Sequence, residues 1–300
     1  MIKKYPRDMV GYGQKTPKVK WPNNAKLALQ IVLNYEEGSE NCVLHGDKTS
    51  EVFLSEIIGA QPVKGRHINM ESLYEYGSRR GFWRIHKLFQ EKKIPITIFG
   101  VGMALEKNLE ICQAIKESDY EVASHGWRWI DYQKVSRSTE KKHMRLAIKS
   151  IEKIFGKRPL GWYTGRCSPN TRDLVMEEGG FLYDSDSYSD DLPYWEVRGK
   201  KKQLIIPYTL DNNDMRFATN QGFNSGEQFY TYLKDSFDAL YNEDSPPKMM
   251  SVGLHCRIIG RPGRIQSLKK FLDYVLKHRD VWICKRIDIA KHWIKNYSIK

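Results

Sequence analysis

Apolar runs of strand length alternate with segments of helical period along most of this chain. The first run, residues 27–35, is almost continuously apolar, which is typical of a strand buried on both faces of a parallel sheet. An amphipathic segment that ends at Gly156 predicts a helix with Ser138 as its N-cap. The pattern predicts strands at 27–35, 94–101, 121–125, 160–164, 181–184, 203–209, 249–254 and 281–284, and helices at 71–92, 103–117, 138–155, 170–178, 226–241, 264–278 and 288–297.

Repeated strand-then-helix units of this kind indicate a parallel α/β architecture. Seven or eight such units follow one another without a linker, which favours a barrel over two smaller domains. Residues 38–70 are rich in turn formers, so we interpret them as a long loop of functional importance. We therefore expect one domain over residues 1–300, with an N-terminal extension before the first strand.

Polar clusters follow the ends of five predicted strands. In α/β barrels the active site is assembled from the loops at that face, so the shared position of the clusters carries more weight than any one of them. The clusters are Asn34–Gly38, Ser124–Trp129, Tyr163–Arg166, Asp184–Asp186 and Leu254–Arg257.

The first cluster contains two adjacent carboxylates, Glu36 and Glu37, directly after the buried strand. Carboxylates in such a place are costly unless they have partners or a task. Along a regular strand they would point to opposite faces, and both can enter one site only if the strand ends there, which Gly38 permits. The alternative is one salt-bridged, buried glutamate and one solvated glutamate.

His125 and His255 each end an apolar strand candidate. A single histidine at a strand end is more often structural than functional, so neither is decisive alone. Arg257 and Arg261 belong to a basic loop around Pro262 near the predicted mouth, where they would suit an acidic or carbonyl-rich ligand. An ordinary loop at the start of a helix is the alternative.

Composition narrows the function classes. The formal net charge of +13 raises the question of nucleic-acid binding, but the basic residues are spread along the chain without a recognisable nucleic-acid-binding motif, so we expect no nucleic-acid partner. Five cysteines without a C-x-x-C pair indicate reduced thiols. The basic first residues precede no apolar segment, and no run approaches the ~18 residues that span a membrane. We expect a cytoplasmic protein without a membrane partner.

The clusters together resemble the motifs of the polysaccharide deacetylase (NodB-homology) superfamily, whose fold is a distorted (β/α) barrel. Asn34–Gly38 stands where that family has T-F-D-D-G, which supplies a base and a metal-ligand aspartate. His125 matches the first histidine of H-[ST]-x-x-H, and Trp129 occupies the place of the second. Arg166 resembles the arginine of the third motif, shifted along its loop.

The remaining two motifs are also recognisable. Asp184 in Tyr183–Ser185 resembles the aspartate of the fourth motif, and His255 in Leu254-His255 matches the family's general acid. The metal site is where the chain departs from the family, because only Glu37 and His125 of the three ligands remain. A zinc site needs three protein ligands, so the resemblance implies no metal cofactor, with a divalent ion at these two residues as the alternative.

The same departures resemble one branch of the superfamily, the bacterial cofactor-free allantoinases, with the matching stretches 34–38, 124–129, 162–171 and 254–264. That branch opens the hydantoin ring of allantoin to give allantoate, and the resemblance implies a homotetramer. It further implies that Glu36 or Glu37, preferably Glu36, is the general base, with its proton affinity raised by the neighbouring carboxylate. His255 would then protonate the leaving nitrogen.

The other site residues receive supporting roles from the resemblance. His125 and Arg166 would stabilise the oxyanion, and Asp184 would orient a histidine or an arginine. The residues expected to contact a small-molecule substrate are Trp129, Tyr163, Arg257 and Arg261. Two other functions remain open, namely a metal-dependent N-deacetylase of amino-sugar polymers and a non-catalytic binding module for carbohydrate or nucleic acid.

Overall fold

A computed structural model describes residues 5–243 and 246–299, so residues 1–4 of the predicted N-terminal extension lie outside the described part. Within the described residues, nine strands form one sheet, and helices cover it. The strands are β1 (Leu27–Tyr35), β2 (Thr97–Gly100), β3 (Glu121–Ser124), β4 (Gly161–Trp162), β5 (Tyr183–Asp184), β6 (Tyr194–Arg198), β7 (Lys201–Ile205), β8 (Lys248–His255) and β9 (Val281–Cys284). The helices are α1 (Ile68–Tyr76), α2 (Phe82–Lys92), α3 (Gly102–Lys107), α4 (Leu109–Glu117), α5 (Arg137–Phe155), α6 (Thr171–Glu178), α7 (Gly226–Asn242), α8 (Cys256–Ile259), α9 (Pro262–Val275) and α10 (Arg286–Asn296).

The sheet is curled into a half-barrel with the strand order β6-β7-β5-β4-β3-β2-β1-β8, and β9 pairs with the first half of β1. The pairings are parallel except for the antiparallel β6–β7 hairpin. Beyond β7 the chain returns to β8, where Asn213 forms an isolated parallel bridge with Gly253. The carboxyl ends of the parallel strands therefore converge on one face, as predicted.

Strand β1 determines which side chains reach the barrel interior. Its odd-numbered residues, such as Leu29 and Leu33, belong to an apolar cluster with the surrounding helices. Its even-numbered residues point to the opposite face, since successive side chains of a strand alternate. Val32 accordingly packs with Tyr163 and Tyr208 in the second cluster. Both faces of β1 are buried, which explains its continuous apolar sequence.

The helix predicted at 71–92 is in fact two helices joined by a π-helical segment, Gly77–Gly81. Both glycines at its ends are required by close packing. A Cβ on Gly77 would overlap the carboxylate of Glu37, and a Cβ on Gly81 would overlap the backbone oxygen of Cys256. The interruption thus lets this helical segment pack directly on the strand ends.

Several predicted boundaries change in the structure. The prediction of Ser138 as an N-cap is wrong, since Ser136 caps α5 by accepting a hydrogen bond from the Thr139 backbone, whereas Gly156 ends the helix as predicted. The pattern did not predict β6 or the short helix α8. Within the described residues, no helix combines the length and apolar character needed to cross a membrane.

Candidate active site

A cavity of about 550 Å³ opens at the carboxyl ends of the strands. Its wall contains Glu36 from the end of β1, His125 from the end of β3 and His255 from the end of β8. The predicted convergence of these three side chains is therefore present in the structure. The long loop covers one side of the cavity with Val52 and Phe53.

Glu36 is at the centre of the polar group. Its Oε1 lies 3.2 Å from Nε2 of His125 and 3.5 Å from Nε2 of His255. Its Oε2 accepts a hydrogen bond of 2.8 Å from Nη1 of Arg257. Since Glu36 lies two residues beyond Asn34 on β1, the strand alternation directs it into the interior. One carboxylate thus contacts three nitrogen-bearing side chains.

The charge state of Glu36 differs from the expectation that its neighbour raises its proton affinity. Burial alone would raise the pKa of Glu36, but Arg257, His255 and His125 outweigh burial and hold that pKa well below its ordinary value. The predicted rise in pKa from a neighbouring carboxylate is found at Glu37 instead of Glu36. Burial, together with the nearby Glu36 carboxylate and against the attraction of Arg257, raises the pKa of Glu37 to about 7.

Glu37 does not share the cavity with Glu36. Its Oε1 accepts from the backbone nitrogen of Arg257 at 3.2 Å, and its Oε2 accepts from the backbone nitrogen of Glu36 at 3.0 Å. The two carboxylates diverge as a regular strand requires, so Glu37 lies against Gly77 and α8. The geometry therefore favours Glu36 as the residue that faces a ligand.

His255 is held between two carboxylates. Its Nδ1 lies 2.6 Å from Oδ1 of Asp214, and its Nε2 faces Glu36. Burial would lower the pKa of His255, but Glu36 and Asp214 outweigh burial and raise it. A histidine that retains its proton and directs Nε2 toward the cavity has the properties of a general acid.

Asp214 was not among the predicted site residues. It is fully buried and also accepts hydrogen bonds from the backbone nitrogens of His255 and Ile259, at 2.8 and 3.0 Å. A signal for it exists in the sequence, because the polar run Asp211–Asp214 follows the strand candidate at 203–209. It therefore occupies the same strand-end position as the other clusters.

His125 and Tyr163 lie side by side in the cavity wall. The two rings lie 4.9 Å apart between centroids, and Tyr163 stacks on Phe99 at 4.6 Å. Nδ1 of His125 is buried without a hydrogen-bond partner among the described residues. The Tyr163 hydroxyl lies 3.0 Å from that of Tyr188.

Arg166 and Trp129 lie together on the loop side of the cavity. The Arg166 guanidinium is 5.0 Å from the centre of the Trp129 ring and 5.2 Å from that of Phe53, and it pairs with the buried Glu51 at 3.2 Å. Trp129 stacks on Phe53 with centroids 5.8 Å apart. Both predicted residues line the cavity, where they connect the long loop to the barrel.

Two of the arginines expected to contact substrate are placed elsewhere. Arg257 is completely buried, and it lies against Glu36, the backbone oxygen of Leu54 and the face of Tyr74 rather than in the cavity. Arg261 packs over Tyr76 and lies 3.6 Å from Glu56, outside the cavity lining. The charge of each guanidinium is thus already matched by protein groups.

Asp184 is also separate from this group. It is fully buried on β5, lies 3.1 Å from Nη1 of Arg172, and accepts a hydrogen bond from the backbone of Asp186. Asp184 does face an arginine, as predicted, but that arginine is outside the cavity. The carboxylate that supports the cavity wall is Asp186. It accepts hydrogen bonds from the backbone nitrogens of Thr164 and Gly165, and so fixes the loop that carries Arg166.

The donor atoms do not fit a divalent metal ion. Among residues 5–243 and 246–299, no group of three or more His, Cys, Asp or Glu side chains is arranged to hold one. Nη1 of Arg257 already lies 2.8 Å from Glu36 and 3.7 Å from Glu37, and Trp129 has no acceptor atom for a metal. A guanidinium therefore supplies the positive charge beside these carboxylates.

Comparison with known proteins places this chain in a family. A model of the family described as polysaccharide deacetylase matches residues 67–177. A Schizosaccharomyces pombe protein (strain 972 / ATCC 24843) named "Putative polysaccharide deacetylase" is 42% identical over 316 residues, covering 98% of each chain. The chain therefore belongs to the polysaccharide deacetylase (NodB-homology) family, a family of hydrolases.

Two solved structures are similar over nearly their whole length. The crystal structure of a "probable Polysaccharide deacetylase" from Pseudomonas aeruginosa PAO1 has 56% identity and a TM-score of 0.97, covering 99% of this chain and 100% of that one. The structure named Puue allantoinase has 55% identity and a TM-score of 0.96, covering 99% of both chains. The predicted fold, a distorted (β/α) barrel of the NodB type, is confirmed.

Proposed function

We propose that this protein hydrolyses a C–N bond in a cyclic ureide, with allantoin as substrate and allantoate as product, and that it does so without a metal ion. The observation that carries the proposal is the position of Arg257 between two carboxylates where the family resemblance would lead one to expect a metal. The likeness to the structure named Puue allantoinase supports the choice of allantoin as the substrate.

The proposed reaction begins with water near Glu36. The water oxygen forms a bond to the ring carbonyl carbon while its proton passes to Oε1 of Glu36. The C–N bond then breaks, and Nε2 of His255 gives its proton to the departing nitrogen. Glu36 can return its proton to His255, whose Nε2 is 3.5 Å away, and the product acid loses its proton to solvent.

The electrostatics of the site suit a ureide better than a simple amide. The lowered pKa keeps Glu36 ionised but makes it a weak base. A ureido nitrogen, whose lone pair is delocalised into a second carbonyl, leaves more readily than an amine and needs less activation. Arg166, close to the cavity wall, is the proposed partner for the oxyanion, with His125 facing the same space.

Turnover measurements on a substrate panel test the proposal. We expect the purified protein to hydrolyse allantoin but not chitooligosaccharides, and to keep its rate after exhaustive chelation. Activity that vanishes on chelation and returns with zinc would reject the metal-independent reaction. Deacetylation of the oligosaccharide would instead establish the other candidate function, an N-deacetylase. Two similar proteins carry the name polysaccharide deacetylase.

The base assignment has its own test with a matched control. Changing Glu36→Gln keeps the size of the side chain and removes its charge, so turnover of allantoin should fall by about 10²-fold or more. The same change at Glu91, whose side chain is 58% exposed, should leave the rate unchanged.

The homotetramer and the cytoplasmic location remain predictions from the sequence, and the first can be measured by light scattering.

A further inference from the structure

The floor of the cavity contains a tyrosine hydroxyl whose proton has no acceptor in the described part of the protein. Tyr208 follows β7 and lines the cavity. Its Oη accepts a hydrogen bond of 3.0 Å from Nδ2 of Asn34. Because that bond uses an oxygen lone pair, the O–H of Tyr208 remains available to donate, and no other residue within 5–243 and 246–299 is placed to accept it.

The position of this hydroxyl is fixed by the strands that carry the reactive residues. A Cβ on Gly253 would lie 2.5 Å from Oη of Tyr208, so the glycine leaves the space that the hydroxyl occupies. Gly253 and His255 are two residues apart on one face of β8, a separation of about 6.6 Å. Asn34, which holds the hydroxyl, pairs with His255 across the sheet and precedes Glu36 by two residues.

Other buried tyrosines differ in this respect. The Tyr120 hydroxyl also accepts from an amide, that of Gln90 at 2.9 Å, but Nδ1 of His86 lies 3.3 Å away to take its proton. The Tyr163 hydroxyl faces Tyr188. Burial raises the pKa of Tyr208, so its hydroxyl stays protonated and can donate.

We infer that the Tyr208 hydroxyl donates a hydrogen bond to the second carbonyl of the ureide, the one bonded to the leaving nitrogen, and thereby selects ureides over simple amides. This inference rests on the proposed function. Glu36, His255 and Tyr208 line the same cavity. With the attacked carbonyl at Glu36 and the leaving nitrogen at His255, the second carbonyl, which is bonded to that nitrogen, can point toward the hydroxyl of Tyr208.

The chemistry gives this contact a role in the reaction. When the ring C–N bond breaks, negative charge spreads from the nitrogen onto the oxygen of the second carbonyl. A preorganised donor at that oxygen stabilises the developing charge more than the ground state, and loss of such a donor typically costs about 10²–10³ in kcat. A simple amide has no second carbonyl and gains nothing from the donor.

The test compares Tyr208→Phe with Tyr120→Phe, which removes the hydroxyl of a similarly buried tyrosine that does not line the cavity. We expect kcat for allantoin to fall about 10²-fold in Tyr208→Phe, with a smaller change in KM, and to be unchanged in Tyr120→Phe. Calorimetry with hydantoin and 2-thiohydantoin supplies a second measurement. Sulfur is a poor acceptor, so the wild type should bind hydantoin more tightly, and Tyr208→Phe should lose that preference.

Each outcome separates the two proposals. If the wild type does not hydrolyse allantoin, the proposed function fails, whereas equal rates for the wild type and Tyr208→Phe overturn only the role of Tyr208. A preference for hydantoin that survives in Tyr208→Phe also overturns it. If that variant does not fold, Asn34→Ala, which removes the amide that holds the hydroxyl, should show the same loss of preference, and a retained preference overturns the inference.

Discussion

Two completely buried guanidinium groups occupy two regions of this barrel, and their surroundings are opposite in kind. Behind the cavity wall, Arg257 lies against the carboxylates of Glu36 and Glu37. In the interior, Arg286 is surrounded by neutral oxygens. Those oxygens come from the side chains of Gln30, Ser185 and Ser251 and from the backbone of Ile206 and Pro207.

The pKa values of the two arginines move in opposite directions. Burial would lower the pKa of Arg257, but Tyr74 and the two carboxylates outweigh burial and raise it. Burial lowers the pKa of Arg286, which has no carboxylate partner within ion-pair distance in the described residues. The surroundings of Arg257 therefore hold interdependent charges, whereas Arg286 is held by hydrogen bonds to neutral oxygens and by the faces of Phe99, Tyr183 and Tyr208.

The largest effect is expected from Arg257→Met. Removing this cation takes away the guanidinium that two buried carboxylates share, which should lower the free energy of unfolding by about 3–5 kcal/mol and abolish turnover. Chemical denaturation and turnover of allantoin measure both. Arg79→Met, at a site where 76% of the side chain is exposed, is the control and should have almost no effect. A stable, active Arg257→Met variant would contradict the dependence on this charge.

Arg286→Met should be less severe because it leaves no charged group unpaired. The loss of hydrogen bonds to several buried oxygens should lower the free energy of unfolding by about 2–3 kcal/mol. The folded fraction should keep most of its kcat, unlike Arg257→Met. Denaturation combined with active-site titration distinguishes the two. Equal losses of kcat in Arg257→Met and Arg286→Met would contradict the expectation that only Arg257 affects the charge of the active site.

A third change removes the charge of Asp214, which pairs with His255. Asp214→Asn removes an anion that raises the pKa of His255, so His255 should lose its proton at lower pH. The alkaline limb of kcat/KM should then move to lower pH, with about a tenfold loss of activity on that limb. The exposed Asp235→Asn serves as the control. An alkaline limb in the same place as the wild type would show that His255 is not the acid.

The smallest effect is expected at Glu37. Its pKa is raised from 4.5 to about 7, so Glu37 contributes stability that is present below pH 4.5 and lost as the pH rises to about 7. Glu37→Gln should therefore become more stable relative to the wild type across that range, by on the order of 1–3 kcal/mol. Unfolding followed at several pH values measures this.

Glu36→Gln should show the reverse pH dependence. The lowered pKa means that ionised Glu36 contributes stability above its ordinary pKa, and this contribution is lost as the pH falls. The Gln variant should therefore lose most stability relative to the wild type near neutral pH. If both variants followed the same trend, the assignment of opposite shifts to the two glutamates would be wrong.

Much of the architecture follows from local sequence. The continuous apolar run of β1 predicted its bounds correctly, because a strand buried on both faces admits few polar residues. Pattern alone could not predict the break at Gly77–Gly81, since it depends on contacts with Glu37 and α8 from distant parts of the chain. The β6 strand was missed because it lies at the edge of the sheet and none of its five residues is fully buried, so it lacks a continuous apolar run.

The candidate site was predictable to a similar degree. Motif positions identified Glu36, His125 and His255, since strand ends converge in this class of fold. The burial of Arg257 and the partner of Asp184 depend on side-chain directions that no spacing specifies. Asp214 was missed because its pairing with His255 joins residues 41 positions apart.

The long loop, predicted at 38–70 and ending in the structure where α1 begins at Ile68, is tied to the barrel at several points. It begins beside Glu37, Nε of Arg257 bonds to its Leu54 backbone oxygen, and Arg128 holds its first turn through Ser39. Engineers who wish to change substrate range by grafting a loop from a relative would need to transfer these anchors with it. The loop and the buried charged residues Glu36, Glu37 and Arg257 would therefore have to be exchanged together. A loop transferred without Arg257 and Arg128 would lack the hydrogen bonds that hold it.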